Sequence, residues 1–159
     1  MESDNKLDVA RLLKEGANAN SKGTQDRTAL MLAAVKGEST IIKALIKAGA
    51  KVDEKDEQGR TALTKAVSLG RVEAAETLVV AKADLEVKDN AGWMSPVHTF
   101  ADMHLTGAEF LISKGFRADK AADEHPYNLL RLAAKHNDHK LARLLAKLEW
   151  ACSQNQVIQ

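Results

Sequence analysis

The chain has 159 residues and a formal net charge of +1, so no long-range field draws it toward a polyanion. Aromatic residues make up only 4% of the sequence and no basic run is interleaved with them, which argues against nucleic acid as a partner. No apolar run approaches the roughly 18 residues of a membrane-spanning helix, and the single cysteine, Cys152, cannot form an internal disulfide. We therefore expect a soluble protein, cytoplasmic by default, or periplasmic or secreted if a leader was removed before residue 1.

Leucines recur at intervals of 33 residues along the chain. They are Leu12, Leu45, Leu78, Leu111 and Leu144, and each is followed by another aliphatic residue. A fixed period of this length is typical of stacked repeat proteins, whose units bury their apolar faces against one another. The sequence therefore predicts a solenoid in which these leucines lie on the buried face of one helix per unit.

The first unit, residues 1–22, is partial. Its Leu12 belongs to a second helix, and the first helix of the unit would have to precede residue 1. The pattern therefore predicts that the next helix has an uncovered side near Met31 and Ala33, which another copy of the chain or residues 1–6 folding back would cover.

The second unit, residues 23–55, shows the full pattern. Thr28 is a preferred helix N-cap, and Gly37, nine residues later, suits the left-handed conformation that ends a helix. A second helix is predicted from Thr40 to Lys47, with apolar residues at the i, i+3, i+4 spacing of a single buried face.

The third unit, residues 56–88, repeats this pattern. Thr61 begins its first helix, and the second is predicted from Val72 to Val80. Lys82 takes the position of Gly49, where a positive φ is expected, so the lysine should cost roughly 1 kcal/mol relative to glycine.

The remaining units depart from the pattern. Ser95 and Pro96 open a first helix, since proline suits the first helical position, and one residue is inserted near Trp93. The last unit is predicted to be a cap, because a terminal unit lacks a neighbour on one side. The boundaries are residues 89–121 for the fourth unit, 122–150 for the C-terminal cap and 151–159 for a tail.

These features resemble the ankyrin repeat, a β-turn followed by two antiparallel helices with a T-P-L-H signature at the start of the first helix. Ser95-Pro96-Val97-His98 is the nearest copy, and Thr28-Ala29-Leu30-Met31 keeps the threonine and the leucine. The resemblance implies an all-α repeat solenoid of about four and a half units in a single domain, residues 1–150. It also implies that partners dock on a concave face formed by the first helices and the hairpin tips.

Candidate contact residues follow from the positions that vary among ankyrin repeats. They are Arg27, Lys36, Gln58, Arg60, Leu69, Trp93, Met94, Met103, Tyr127 and His136. Large apolar side chains flanked by Arg, Lys and Gln are typical of interface hot spots. Trp93 has an alternative role, filling the space that the inserted residue creates, and Met103 could instead belong to the stack between layers.

Catalytic chemistry has little support in the sequence. There is no Gly-rich phosphate loop, no HExxH motif and no pair of cysteines. His98 occupies the signature position, where the resemblance implies hydrogen bonds between neighbouring loops. We therefore expect no cofactor and no metal, and an enzyme that uses His98 or His136 is a remote alternative.

The leading prediction is a non-catalytic module, monomeric in solution, that binds another protein. By analogy with the family, we expect it to inhibit or sequester a partner enzyme, as an inhibitor or immunity-type protein does. The alternative is an adaptor that joins two proteins, which requires a second contact surface. The second-helix face bearing Lys43, Glu73, Glu76 and Arg143 is the candidate for that surface, although its charges are typical of a solvated helix face.

Overall fold

The computed structural model describes residues 2–92, 110, 113–114 and 143. Two helices per unit alternate with turns, as the repeat predicts. The helices whose bounds are described are α1 Glu2–Lys14, α2 Ala29–Lys36, α3 Ser39–Lys47, α4 Ala62–Ser68 and α5 Val72–Val80, with a short 3-10 turn at Thr24–Asp26 before α2. Within the described residues, β pairing is limited to an isolated antiparallel bridge between Lys22 and Thr28.

The helix boundaries confirm the capping residues. Thr28 Oγ1 accepts a hydrogen bond from Met31 N at 3.3 Å, and Thr61 Oγ1 accepts one from Thr64 N at the same distance. Each threonine thus satisfies a backbone N–H that the first helical turn leaves without an intrahelical partner. Gly37 ends α2 with φ 79°, in the left-handed region.

Lys82 adopts φ 67°, which confirms that this position requires the left-handed conformation although it carries a side chain. The residues that end the preceding second helices at the same point are Gly16 and Gly49, both with positive φ. A Cβ atom clashes with the backbone in this region, so the lysine stores strain that glycine avoids.

The helices stack so that each first helix covers the second helix of its own unit. Helix α2 packs on α3, α4 packs on α5, and α2 and α4 also contact each other across the units. The buried core runs continuously through these layers, with Leu45 and Leu78 fully covered. This layered arrangement is the core of a solenoid, in which each unit contacts its neighbours.

Leu12 differs from Leu45 and Leu78, the other described leucines of the 33-residue series, because 48% of its surface is exposed. Helix α1 packs against α3, and no described first helix covers Leu12 in the way that α2 covers Leu45. Asp8 stands 33 residues before the buried Ile41, and its exposed carboxylate pairs with Arg11 Nη2 at 3.3 Å. The outer side of α1 therefore faces water, and the prediction that the whole series is buried is wrong for Leu12.

The structure also places the exposed side of α2 elsewhere than the sequence predicts. Met31 and Ala33 are buried, so the prediction of an open surface at these two residues is wrong. Helix α2 contacts both α3 and α4. The large apolar residue of α2 that is exposed is Leu32 instead, with 49% of its surface in contact with solvent.

Candidate functional site

The hairpin tips of consecutive units are joined by a ladder of hydrogen bonds. Glu57 N donates to Gln25 O at 3.1 Å, and one unit later Asn90 N donates to Gln58 O at 3.0 Å. The Asn90 side chain adds a bond of 2.7 Å from Nδ2 to Glu57 O. Because each tip is hydrogen-bonded to the next, the tips form one continuous surface, which we call the hairpin edge, rather than independent loops.

Lysines make a second ladder at the base of the hairpins. Lys22 Nζ donates to Lys55 O at 3.2 Å, and Lys55 Nζ donates to Lys88 O at 2.9 Å. Both bonds span 33 residues, so each lysine reaches one unit forward. The two ladders together hold the edge of the stack at its tip and at its base.

Asp56 organises the second hairpin. Its Oδ1 accepts hydrogen bonds from Gln58 N at 3.0 Å and from Arg60 N at 2.9 Å. Its Oδ2 lies 2.6 Å from Lys65 Nζ on α4, and the two side chains are only 1% and 11% exposed. Burial by itself would raise the pKa of Asp56, but Lys65 and the two N–H donors outweigh it and hold this pKa below its ordinary value.

Glu54 is held between two lysines near the base of the same hairpin. Its carboxylate lies 3.4 Å from Lys51 Nζ and 3.4 Å from Lys22 Nζ. Hydrogen bonding from Lys51 lowers the pKa of Glu54, and although desolvation opposes it, Lys22 adds to the lowering. Lys22 therefore links the first hairpin to the second through an ion pair as well as through Lys55 O.

The candidate contact residues that the structure describes fall into two groups. Arg27, Gln58 and Arg60 lie on the hairpin edge, where the first two are exposed and Arg60 is half-buried. Arg60 Nε is buried and has no hydrogen-bond partner in the described part of the chain. Lys36 is the last residue of α2, and Leu69 follows α4 as its C-cap residue, with 39% of its surface exposed.

Five further candidate contact residues lie outside the described residues, so the structure does not place them. They are Trp93, Met94, Met103, Tyr127 and His136. The predicted C-terminal cap and the tail lie outside the described residues as well, apart from Arg143, which is helical and exposed.

Leu32 is an exposed apolar residue that the sequence analysis missed. It lies on α2, and the equivalent residue of α4, 33 positions later, is Lys65. Lys65 is buried and its ammonium group pairs with Asp56, so the equivalent residue gave no signal that Leu32 is exposed.

Neither a metal site nor a membrane span is found in the part that the structure describes. No group of three or more His, Cys, Asp or Glu residues there is arranged to hold a metal ion. Likewise, none of its helices is long and apolar enough to cross a bilayer. All five histidines lie outside the described residues.

Comparison with known proteins agrees with the geometry. The family model for ankyrin repeats, in three copies, matches residues 2–89, more than half of the chain. No curated protein matches the sequence. Ankyrin repeats form all-α solenoids that are generally non-catalytic and bind other proteins. With its capped helix pairs, its ladder of hairpins and this match, the chain belongs to the ankyrin-repeat family and is a protein–protein interaction module.

Proposed function

We propose that the chain is a non-catalytic inhibitor or sequestering protein that covers a partner enzyme with its hairpin edge and first helices. The observation that carries this proposal is the exposure of Leu32 on α2 and of Leu69 directly after α4, in units that also carry the exposed cations Lys36 and Arg27. Exposed aliphatic side chains grouped with long cationic ones are typical of contact surfaces.

The two ladders of hydrogen bonds between consecutive hairpins favour tight binding, because they keep the surface ordered before a partner binds. Residues such as Gln58 and Glu57 have their backbone groups bonded to the neighbouring hairpins. Ordering a loop on binding costs free energy, and a surface that is already ordered avoids that cost. A rigid edge of this kind can occlude a cleft without rearranging.

The cations suggest the chemistry of the partner's surface. Arg27 and Lys36 are exposed, and Arg60 is half-buried. Carboxylates at the rim of an enzyme cleft would complement these groups and speed encounter. In this proposal Trp93, Met94, Met103, Tyr127 and His136 extend the same contact surface into the fourth and fifth units.

Affinity capture with the full chain tests the proposal, followed by assay of the captured enzyme with increasing amounts of the chain. The double variant Leu69→Asp/Lys36→Glu should weaken capture and inhibition at least about tenfold, a change of about 1.4 kcal/mol in binding free energy. The matched control is Leu12→Asp/Lys14→Glu, which makes the same chemical changes at exposed residues of α1 and should bind as the wild type does.

Thermal unfolding should show that both double variants are folded. If the Leu69/Lys36 variant inhibits as strongly as the wild type, the proposed surface is wrong. A ternary complex of the chain with two proteins, in which the captured enzyme keeps its activity, would favour the adaptor function instead.

A further inference from the structure

A groove runs between the second helices α3 and α5, on the part of the stack that the hairpin tips do not use. It encloses about 690 Å³ and is lined by residues of both helices. Val80, at the end of α5, is 80% exposed, the highest value among the large apolar residues that the structure describes as exposed. Ile46 lies beside it in the groove and is half-buried.

The two walls of the groove carry opposite charges. Lys43 and Lys47 line it from α3, and Glu73 and Glu76 line it from α5. Ser39 Oγ donates to Glu73 Oε1 at 2.7 Å, whereas Lys43, Lys47 and Glu76 make no ion pair with any residue that the structure describes. The opposite charges are therefore arranged along the groove without neutralising each other.

We propose that a second copy of this chain docks on the groove through a two-fold axis, with α3 of each copy against α5 of the other. Such an interface brings the same surface from both copies together, so the surface must be complementary to itself. A basic wall beside an acidic wall meets this requirement, because the rotation places each wall against the opposite one.

The register of the charges suits an arrangement in which α3 of one copy and α5 of the other run parallel. Lys43 and Glu76 are equivalent residues of their units and lie at the same level. Lys47 is four residues beyond Lys43, or about 6 Å toward the C-terminal end, and Glu73 is three residues before Glu76, or about 4.5 Å toward the N-terminal end. A two-fold axis parallel to the two helices exchanges α3 and α5 without reversing their direction, so Lys43 faces Glu76 of the other copy and Lys47 faces Val80 of the other copy.

Docking would also cover the apolar surface of the groove. The parallel arrangement brings Val80 against Lys47 of the other copy, whose aliphatic stem can cover it. Removing exposed apolar surface from water supplies free energy that exposed ion pairs alone do not. The proposal replaces the sequence-based expectation of a monomer, since the pairing becomes visible only when α3 and α5 are placed side by side.

The dimer leaves the hairpin edge and the first helices of both copies free. Residues such as Leu69 and Arg27 do not line the groove. The dimer would therefore present two partner-binding surfaces, which strengthens binding to a partner that is itself oligomeric. The inference concerns self-association and stands independently of the proposed inhibition.

Sedimentation of the full chain over a range of concentrations, from low micromolar upward, tests the dimer. The wild type should shift from monomer to dimer, and added salt should weaken the shift because the pairs are exposed. Lys43→Glu/Lys47→Glu and Glu73→Lys/Glu76→Lys should each raise the dissociation constant at least about tenfold. Mixing the two variants should restore association, because one then carries only acidic walls and the other only basic walls.

Two controls separate this result from unfolding and from the proposed inhibition. Lys36→Glu changes an equally exposed lysine outside the groove and should dimerise as the wild type does, and circular dichroism should show that every variant is folded. Lys43→Glu/Lys47→Glu should still bind the captured enzyme. A wild type that stays monomeric throughout, or variants whose association is unchanged or is not restored on mixing, would overturn the dimer.

Discussion

Removal of the Lys65 ammonium group should destabilise the protein strongly. The Lys65→Met substitution leaves the Asp56 carboxylate, 1% exposed, without its counter-ion at 2.6 Å. At an effective dielectric constant of about 20, the gross attraction over that distance is roughly 6 kcal/mol. Desolvation offsets part of it, and the N–H groups of Gln58 and Arg60 still bind the carboxylate. We therefore expect a loss of about 3 kcal/mol, at the low end for a broken buried ion pair.

The preceding unit supplies the design of a double-mutant cycle. At the positions equivalent to Asp56 and Lys65, the second unit has Gly23 and Leu32, so neither member of the ion pair is present there. Asp56→Gly/Lys65→Leu should therefore be less destabilising than the sum of the two single variants, by at least about 1.5 kcal/mol. Urea unfolding of the full chain, followed by circular dichroism, measures the four free energies of unfolding.

Lys36→Met is the matched control, because Lys36 is exposed, lies outside the α3–α5 groove and forms no ion pair with a described residue. It should change the free energy of unfolding by less than about 0.5 kcal/mol. If Lys65→Met is as mild as this control, or if the double-mutant cycle is additive, the ion pair does not organise the hairpin.

Three further predictions concern the same hairpins and the strained backbone. The pKa of Asp56 is lowered on folding, so its carboxylate stabilises the folded protein above the unfolded pKa of about 3.9, and this stabilisation is lost as the pH falls through the folded pKa. Asp56→Asn should therefore make the free energy of unfolding, measured with urea, depend less on pH in the acid range. In thermal unfolding, Gly59→Ala should be more destabilising than Gly49→Ala. Both glycines have a positive φ, but a Cβ atom at Gly59 would lie 2.5 Å from Asn90 Oδ1, whereas a Cβ atom at Gly49 would have no atom within 4 Å. Lys82→Gly should raise the free energy of unfolding by about 1 kcal/mol, and an unchanged or lower value would refute strain at φ 67°.

The repeat period made much of the fold predictable from the sequence. Thr28 and Thr61 are recognisable as caps because threonine oxygens satisfy the N–H groups that begin a helix. Lys82 could be assigned a positive φ because the period places it in register with glycines. The bounds of α5 were predicted as observed, Val72–Val80, and α3 begins one residue earlier than expected.

Side-chain environments were less predictable, because the period shows which residues are equivalent but not which neighbours they have. Leu12 is in register with the buried Leu45 and is nevertheless exposed, since no described first helix covers it. Lys65 lies in an alanine-rich stretch, and only the folded hairpin shows that its ammonium group reaches Asp56. The charge register of the α3–α5 groove likewise depends on the placement of two helices.

Side-chain footprinting with hydroxyl radicals, on the chain with and without its captured enzyme, tests the central claim most directly. Leu32, Leu69, Leu12 and Val80 are all exposed in the structure and report on different surfaces. Binding should slow the oxidation of Leu69 and Leu32, while Leu12 and Val80 keep the rates that they have in the unbound chain at the same concentration. Protection of Leu12 or Val80 with Leu69 and Leu32 unchanged would contradict the claim that the hairpin edge and first helices bind the partner.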